Sequence, residues 1–437
     1  MNYIYRLHFM PSATGILSYF SITLLICLMI FIDALGQELS ASDLVREALT
    51  SNAELAAARL NIERARARVR QASLRPNPTL EVEQLNGLYN SPDDRATLAG
   101  ISVPIELGGK RGRRIDLARA ELEAAEVDVA DRERRLAREV LMTYTEVLAA
   151  SRDLAITEEQ NTINTEGVRV IEARVDEGDA APLELNLLRV EVERLRSRRS
   201  LIQGKLRGAM LRLQNLCGMP LDRQLRLREA LPGSTPFEPP ASLEASLEIA
   251  LRTRPDLKLA RLEEVVAQAG LRLARAQSAP DFSFFTRYGS QRTVIDSTPV
   301  GPLRDHDRLL TFGVSIGLPV FNRNQGAKAE ATTAIIQAQR RREYVEEVVR
   351  AEVMSAYARY EAARIALATF EKGVIARSNE NIRAISGAYQ IGAFRISELL
   401  NEQRRLLDSQ REYTEALSER YRALADIQAA TGVIGQK

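Results

Sequence analysis

Two glutamates occupy matching places in this chain. Glu184 follows Gly178 by six positions, and Glu398 follows Gly392 by six. A carboxylate repeated at one offset from a turn glycine could form a cation-attracting ring in a symmetric assembly. It could equally be a solvated first-turn residue that complements the dipole of the helix it opens. Other reactive residue types thin out quickly. Only His8 and His306 exist, and His306 sits in a polar stretch, 303–308, expected to be an exposed loop between strands. Gly108-Gly109-Lys110-Arg111-Gly112 suggests a phosphate loop but lacks the spaced Gly-Lys-Ser/Thr that holds nucleotide and magnesium. There is no histidine–carboxylate–serine set for nucleophilic catalysis. The sequence therefore supplies no catalytic, cofactor-binding or metal-binding residue, and an enzyme is not expected.

The frame that positions these residues is written twice. Ala48-Leu49 with Asn52-Ala53-Glu54-Leu55 and Arg59 recurs as Ala250-Leu251, Arg254-Pro255-Asp256-Leu257 and Arg261, an offset of 202. The offset becomes 213 for Gly100 and Gly313 and for Tyr144 and Tyr357, then 214 for Gly178 and Gly392 and for Gly218 and Gly432. Such a repeat implies one architectural unit used twice. Residues 37–232 form the first unit, 233–241 a linker rich in proline, and 242–437 the second. Residues 1–36 read as a signal peptide: Arg6, an apolar run from Ile16 to Ile32, then Ala34 and Gly36 as small residues before cleavage. An uncleaved anchor is the alternative reading of that run. Ile26 before Cys27 is not the small residue that lipidation needs.

The mature chain then has one cysteine, Cys217, so stability must come from packing rather than an internal disulfide. The 60 basic and 58 acidic residues of the full sequence are interleaved and leave a formal net charge of +2. That mixing describes solvated helix faces and gives no basic stripe for nucleic acid. No segment after residue 36 approaches ~18 consecutive apolar residues, so any membrane crossing must use strands.

Within each unit the hydrophobic period changes from helix to strand and back. Ser42 to Arg75 reads as one helix, ended by Pro76-Asn77-Pro78. A strand hairpin follows at 79–107, with Ala99, Ile101, Val103, Ile105 and Leu107 alternating against Gly100, Ser102, Pro104 and Glu106. The second hairpin, 281–320, sets Leu310, Phe312, Val314, Ile316, Leu318 and Val320 against Thr311, Gly313, Ser315, Gly317 and Pro319. Strands of about ten residues suit a tilted bilayer crossing. Long helical hairpins come next, at 114–218 and 326–432. Some sixty proline-free residues from Arg114 would reach roughly 90 Å.

Four spanning strands per chain cannot seal themselves. An open sheet in hydrocarbon leaves unpaired backbone edges, so only a closed barrel is viable. Eight strands give an interior just filled by side chains, whereas three chains give twelve and room for water. Gly313, Ser315 and Gly317 on the inner face favour the open, trimeric version. The expected fold is mainly α with a small β part: a shared 12-stranded transmembrane barrel continued by an antiparallel coiled-coil tunnel.

On these residues the chain resembles TolC-like outer-membrane efflux proteins, closest to those serving cobalt–zinc–cadmium and copper–silver pumps. The motifs are Ala48-Leu49 with Asn52-Ala53-Glu54-Leu55, Leu107-Gly108-Gly109-Lys110-Arg111, and the run Leu318-Pro319-Val320-Phe321-Asn322-Arg323-Asn324-Gln325-Gly326. Tyr389, Gly392, Leu399 and Leu400 add the tip of a helical hairpin. The resemblance spans about residues 39–433 and implies a homotrimeric, passive channel in the outer membrane of a Gram-negative bacterium. Its periplasmic end meets an adaptor and an inner-membrane pump of the RND type, which supplies the energy. It also implies that the tip residues Gly178, Glu184, Tyr389, Gly392 and Glu398 line the periplasmic gate and touch the adaptor. Where some relatives carry an arginine and a second acid, this chain has Phe394 and Asn401, so a salt-bridged lock is not carried over. Gly108-Gly109-Lys110-Arg111 and Pro319, Phe321, Asn322, Arg323, Asn324 and Gly326 would mark the barrel-to-helix passage, with the first set's cations near lipid headgroups; interface packing is the preferred reading of both sets.

Heavy-metal cations are the expected cargo. A duct for type I protein secretion or multidrug export, and a non-conducting periplasmic coiled-coil protein, are the alternatives.

Overall fold

The structure is a computed structural model that describes residues 38–86, 94–222, 225–231, 239, 242–295, 301 and 303–432. The expected leader lies outside the described residues, as does the linker apart from position 239. The elements run β1 (Glu38–Leu39), α1 (Ala41–Ser51), α2 (Ala53–Ser73), β2 (Thr79–Asn86), β3 (Arg95–Ile105), α3 (Lys110–Asp176) and α4 (Pro182–Leu216). They continue with β4 (Arg226–Leu227), α5 (Leu243–Thr253), α6 (Pro255–Ala276), β5 (Phe282–Ile295), β6 (Leu303–Ile316), α7 (Gln325–Thr369), a π turn (Phe370–Val374), α8 (Ile375–Gln390) and α9 (Ile396–Thr431). At 1.5 Å per residue, the 67 residues of α3 span about 100 Å.

The helix expected over Ser42 to Arg75 is in fact two. It breaks at Asn52, whose extended backbone ends α1 while its side chain caps α2 by accepting from the Leu55 amide at 2.8 Å. The break has a tertiary cause. Asn52 Nδ2 donates to the Leu216 carbonyl at 3.0 Å, so the end of α4 abuts the α1–α2 step. The second unit repeats the step at Arg254, with Pro255 opening α6, and Thr253 Oγ1 donates to the Thr431 carbonyl at 2.6 Å. Gly218 and Gly432 both take left-handed backbone conformations there, φ 65° and 69°. A Cβ on Gly218 would lie 2.3 Å from the Ser51 carbonyl oxygen. Each broken helix therefore stacks on the end of a returning helix, and two columns are built from four short or medium elements.

Around this girdle lies the main core. Leu44, Val45 and Ala48 of α1 pack on Ala137, Val140, Leu141, Tyr144 and Val147 of α3, with Leu213 and Cys217 from α4 and Leu417 and Tyr421 from α9. Cys217 and Thr431, equivalent in sequence, are both fully buried at helix ends. Burial pushes the Cys217 thiol up to about 12, so it packs as a small apolar group rather than reacting as a thiolate. A second cluster sets Ala250, Leu257 and Ala260 against Val345, Val349 and Val353 of α7. The helical hairpins of the two units differ: α3 is unbroken, whereas the α7–α8 run contains the π turn, beside which Phe370 packs on Tyr413.

The four long strands form one antiparallel sheet in the order β2-β3-β5-β6. Pairing Ile105 with Phe282 and Phe282 with Ile316 places the expected apolar positions on a single face. Its rows are Ile105–Phe282–Ile316, Val103–Phe284–Val314, Leu80–Ile101–Thr286–Phe312 and Val82–Ala99–Tyr288–Leu310. The strands reach further than expected at the end away from the helices and stop short at the other, β3 ending at Ile105 and β6 at Ile316, so that Leu107, Leu318 and Val320 lie beyond them. Residues 303–308 are not a loop but the first turns of the pleat in β6, and His306 is an exposed strand residue.

Gly178 and Gly218 are both left-handed, but only Gly218 has a backbone oxygen in the path of a Cβ. Gly178→Ala should cost about 1–2 kcal/mol from backbone strain alone. Gly218→Ala should cost clearly more, and thermal unfolding of the two variants followed by circular dichroism in detergent compares them directly. Equal losses would mean that the helix stacking at Ser51 carries no weight.

Candidate functional site

Three places hold the polar residues that could act on a passing solute or a partner. The first is the far end of the helical hairpins. Gly178 and Gly392 turn the chain there, with φ 83° and 76°, and the Asp179 and Ala393 amides reach back to the Arg174 and Ala388 carbonyls at 2.7 and 2.9 Å. Beneath the turns, Ile171, Leu185 and Leu188 of the first hairpin pack on Ile396 and Leu400 of the second. The Tyr389 hydroxyl donates to Glu184 Oε2 at 3.0 Å, while Arg174 lies over the Tyr389 ring, 5.9 Å from its centroid. Glu184 is thus more than a solvated first-turn acid: it ties one repeat to the other. About two turns further along α4, the buried Glu191 accepts from Arg404 of α9 at 2.8 Å, a second tie across the repeats.

Glu398 behaves differently. Its Oε2 accepts from the Arg395 amide at 2.8 Å, so it caps its own helix, and the side chain is otherwise exposed. Phe394 and Asn401 stand exposed beside it, with no hydrogen bond from either side chain among the described residues.

The second place is the passage from sheet to helix. Gly108 and Gly109 have φ 67° and 70°, and a Cβ on Gly108 would come within 2.6 Å of Ala279 Cβ. Both cations of the first set bond within the chain, as interface packing requires. Lys110 is buried, with Nζ 2.6 Å from Asp281 Oδ2, and Asp281 Oδ1 also accepts from the Leu107 amide at 3.0 Å. Arg111 Nε donates to the Ser73 carbonyl at 2.7 Å. In the second unit Asn324 opens α7 in a left-handed conformation, and its Nδ2 donates to the Ala274 carbonyl at 2.9 Å. Asn322 accepts from the Asn324 amide at 3.0 Å, and the Arg323 amide donates to Gln325 Oε1 at 2.8 Å. Pro319 is half-buried, Gly326 is open to solvent and Phe321 is 93 % exposed.

The third place is the face of the sheet opposite the apolar rows. It carries Glu81, Glu83, Ser102, Ser283, Arg287, Thr311, Asp305 and Asp307, as the register requires. Gly100 and Gly313 have the same purpose here. Across Gly100, Arg287 reaches Glu81 at 3.2 Å; a Cβ would come within 2.9 Å of the Thr286 carbonyl oxygen and 3.3 Å of the Arg287 stem. Over Gly313 lies the Phe285 ring, which a Cβ would strike at 2.3 Å. Both glycines let a neighbouring side chain lie flat on the wall.

This geometry has a known counterpart. The outer membrane efflux protein family matches residues 44–219 and 247–433, one match per structural unit. The chain belongs to that family. It is 25 % identical over 389 residues, 87 % of each chain, to the cobalt-zinc-cadmium resistance protein CzcC of Cupriavidus metallidurans. It is 24 % identical over 301 residues to the solvent efflux pump outer membrane protein SrpC of Pseudomonas putida, covering 64 % of this chain and 60 % of that one. Among solved structures, CusC superposes with a TM-score of 0.74 at 22 % identity, covering 91 % of this chain and 92 % of that one. VceC of Vibrio cholerae gives 0.73 at 17 % identity, covering 90 % and 96 %.

As an outer membrane efflux protein the chain is an outer-membrane channel component with a helical part in the periplasm, and its fold is the TolC-like one, mainly α with a small β part. Sequence reading brought Glu184, Tyr389, Gly178, Gly392 and Glu398 to the tip together. The acids at 305 and 307 do not show as wall residues in the sequence, because Arg304-Asp305-His306-Asp307-Arg308 reads as a loop. The strict alternation of sign in that run was the available signal.

Burial and then the bond to Glu184 raise the Tyr389 pKa above its ordinary 10.0. Because the folded value is the higher one, the tie contributes fully below about pH 10 and is lost as pH rises through the folded value. Tyr389→Phe should cost about 1 kcal/mol at neutral pH. A double-mutant cycle with Glu184→Gln, read by chemical unfolding at pH 7 and at a pH above the folded value of the tyrosine, should show coupling only at the lower pH. Coupling of equal size at both would refute the assignment.

Proposed function

We propose that three copies of this chain close a 12-stranded barrel and form the exit duct of a tripartite efflux system that passes heavy-metal cations outward. The sheet supports closure: β2 and β6 are unpaired edges, and hydrocarbon tolerates none. The helical columns below would then join into one tunnel, with Gly178, Glu184, Tyr389, Gly392, Phe394, Glu398 and Asn401 around its periplasmic mouth. There they would form the gate and the docking surface for a periplasmic adaptor and an inner-membrane pump. Glu398, held by its own helix N-terminus, would contribute a fixed carboxylate from each subunit. The junction residues from Gly108 to Arg111 and from Pro319 to Gly326 would hold barrel to tunnel.

The observation that carries the cargo reading is the charge of the inner wall. Within the described strands Glu81, Glu83, Asp305 and Asp307 face inward against a single inward arginine, Arg287, a net of −3 from those four acids and one base. No acid of the described strands faces outward. A ring of carboxylates at a pore mouth concentrates cations and repels anions. The likeness to a cobalt-zinc-cadmium resistance protein points to the same class of solute. Such a duct does no work on its cargo; the gradient and the pump set the direction.

Purified protein in a planar bilayer under a salt gradient should conduct, with a reversal potential that reports cation preference. Replacing Asp305 and Asp307 by asparagine should move that potential several millivolts or more toward zero while conductance persists. A detergent-free soluble monomer without conductance would end the duct reading, and an unchanged reversal potential would end the role of the acids.

A further inference from the structure

The outward face of the sheet does not stop at its apolar band. Beyond the row Val82–Ala99–Tyr288–Leu310, the register continues with Gln84–Thr97–Ser290–Arg308, then Asn86–Arg95–Arg292–His306, then Val294–Arg304. Every charged residue in these outward rows is a base, and all five basic side chains, Arg95, Arg292, Arg304, His306 and Arg308, are exposed. The pleat sorts the run Arg304-Asp305-His306-Asp307-Arg308 by sign, acids to the inner wall and bases to the outer. Among the described residues, Arg95, Arg304 and Arg308 have no ion-pair partner, and Arg292 donates from Nε to His306 Nε2 at 3.1 Å. An outward face with four arginines and no acid is not what a protein surface in plain water needs, since its own charges repel.

Height places these bases. Two residues advance a strand by about 7 Å, and a tilt of about 40° leaves about 5 Å of that along the membrane normal. Arg308 therefore stands about 5 Å beyond the last apolar row, Arg95 and Arg292 about 10 Å, and Arg304, at the outer margin of the belt, about 15 Å. Headgroups occupy roughly 5–8 Å outside the hydrocarbon of each leaflet. Long arginine stems can reach back toward that layer along the apolar surface below them. Tyr288, outward and 46 % exposed in the last apolar row, is the amphipathic residue expected where hydrocarbon meets headgroups.

We propose that Arg95, Arg292, Arg304 and Arg308, with His306, form an outward belt that docks the phosphate groups of lipids in the outer leaflet. Guanidinium forks match phosphate oxygens in pairs, and a shared barrel would repeat the belt three times around its rim. The belt rests on the barrel reading above, because it needs this face toward lipid and this end of the strands away from the periplasmic helices. It would fix the height of the duct in the membrane and leave the acidic inner mouth free of lipid.

Native mass spectrometry of the detergent-solubilised full-length protein can count and rank bound lipids, with diphosphorylated lipid A as the probe. Arg95→Gln, Arg292→Gln, Arg304→Gln and Arg308→Gln should each weaken lipid A retention by on the order of fivefold, and the fourfold variant should retain almost none. Arg287→Gln, on the inner wall, should retain it like the parent. Single variants keep the test open if the fourfold variant fails to fold. Undiminished lipid A binding in the Arg308→Gln and Arg292→Gln variants would overturn the belt, as would displacement of the lipid by an equal concentration of inorganic phosphate. Conductance of the same parent preparation separates the two ideas: a conducting parent whose variants hold lipid equally well sinks the belt alone, whereas a parent without conductance sinks the duct.

Discussion

An unpaired backbone edge cannot face hydrocarbon. A four-stranded sheet has two such edges, and here they are β2 and β6, whose outward side chains include Leu80, Val82, Phe312 and Val314. Each unsatisfied peptide group in lipid costs several kcal/mol, far more than surface side chains can return. The sheet is therefore complete only in company. The rest of the molecule suits a wall of that kind: long helices with many charged residues, buried clusters at the girdle and at the hairpin tips, and a sheet with one apolar and one polar face.

Duplication makes such a wall economical but not identical in its two halves. Gly178 and Gly392 turn the hairpins alike, and Gly218 and Gly432 end the returning helices alike. The contacts that bind the halves together have no such symmetry. Glu184 meets Tyr389, and Glu191 meets Arg404; Lys110 of the first junction meets Asp281 of the second hairpin. The π turn at Phe370–Val374 occurs in one hairpin only. A repeated architecture thus supplies the shape, while unrepeated side chains supply the joints.

Charge is arranged by the pleat. Because successive strand residues face opposite sides, a run of alternating sign needs no further device to give one wall an acidic lining and a basic exterior. The two glycines of the sheet serve the same wall. They leave room for Arg287 and Phe285 to lie along it rather than project into the passage.

Period and composition alone determined the duplication, the helix–strand–helix rhythm, the faces of the strands near Ile101 and Val314, and the need for several chains. These are local or additive properties, readable from side-chain type and spacing. Only the tertiary structure decided the break at Asn52, since nothing in the helical pattern announces that the end of α4 must dock there. It alone showed that Lys110 is buried on Asp281, a pairing across 171 positions. It also resolved Glu398 into a helix cap and Glu184 into a tie, two roles that one spacing from a glycine could not distinguish. The 303–308 run escaped because high charge density resembles a loop until a neighbouring strand pairs with it. Hydrogen bonds across the ladder, not the propensity of five charged residues, make that segment a strand.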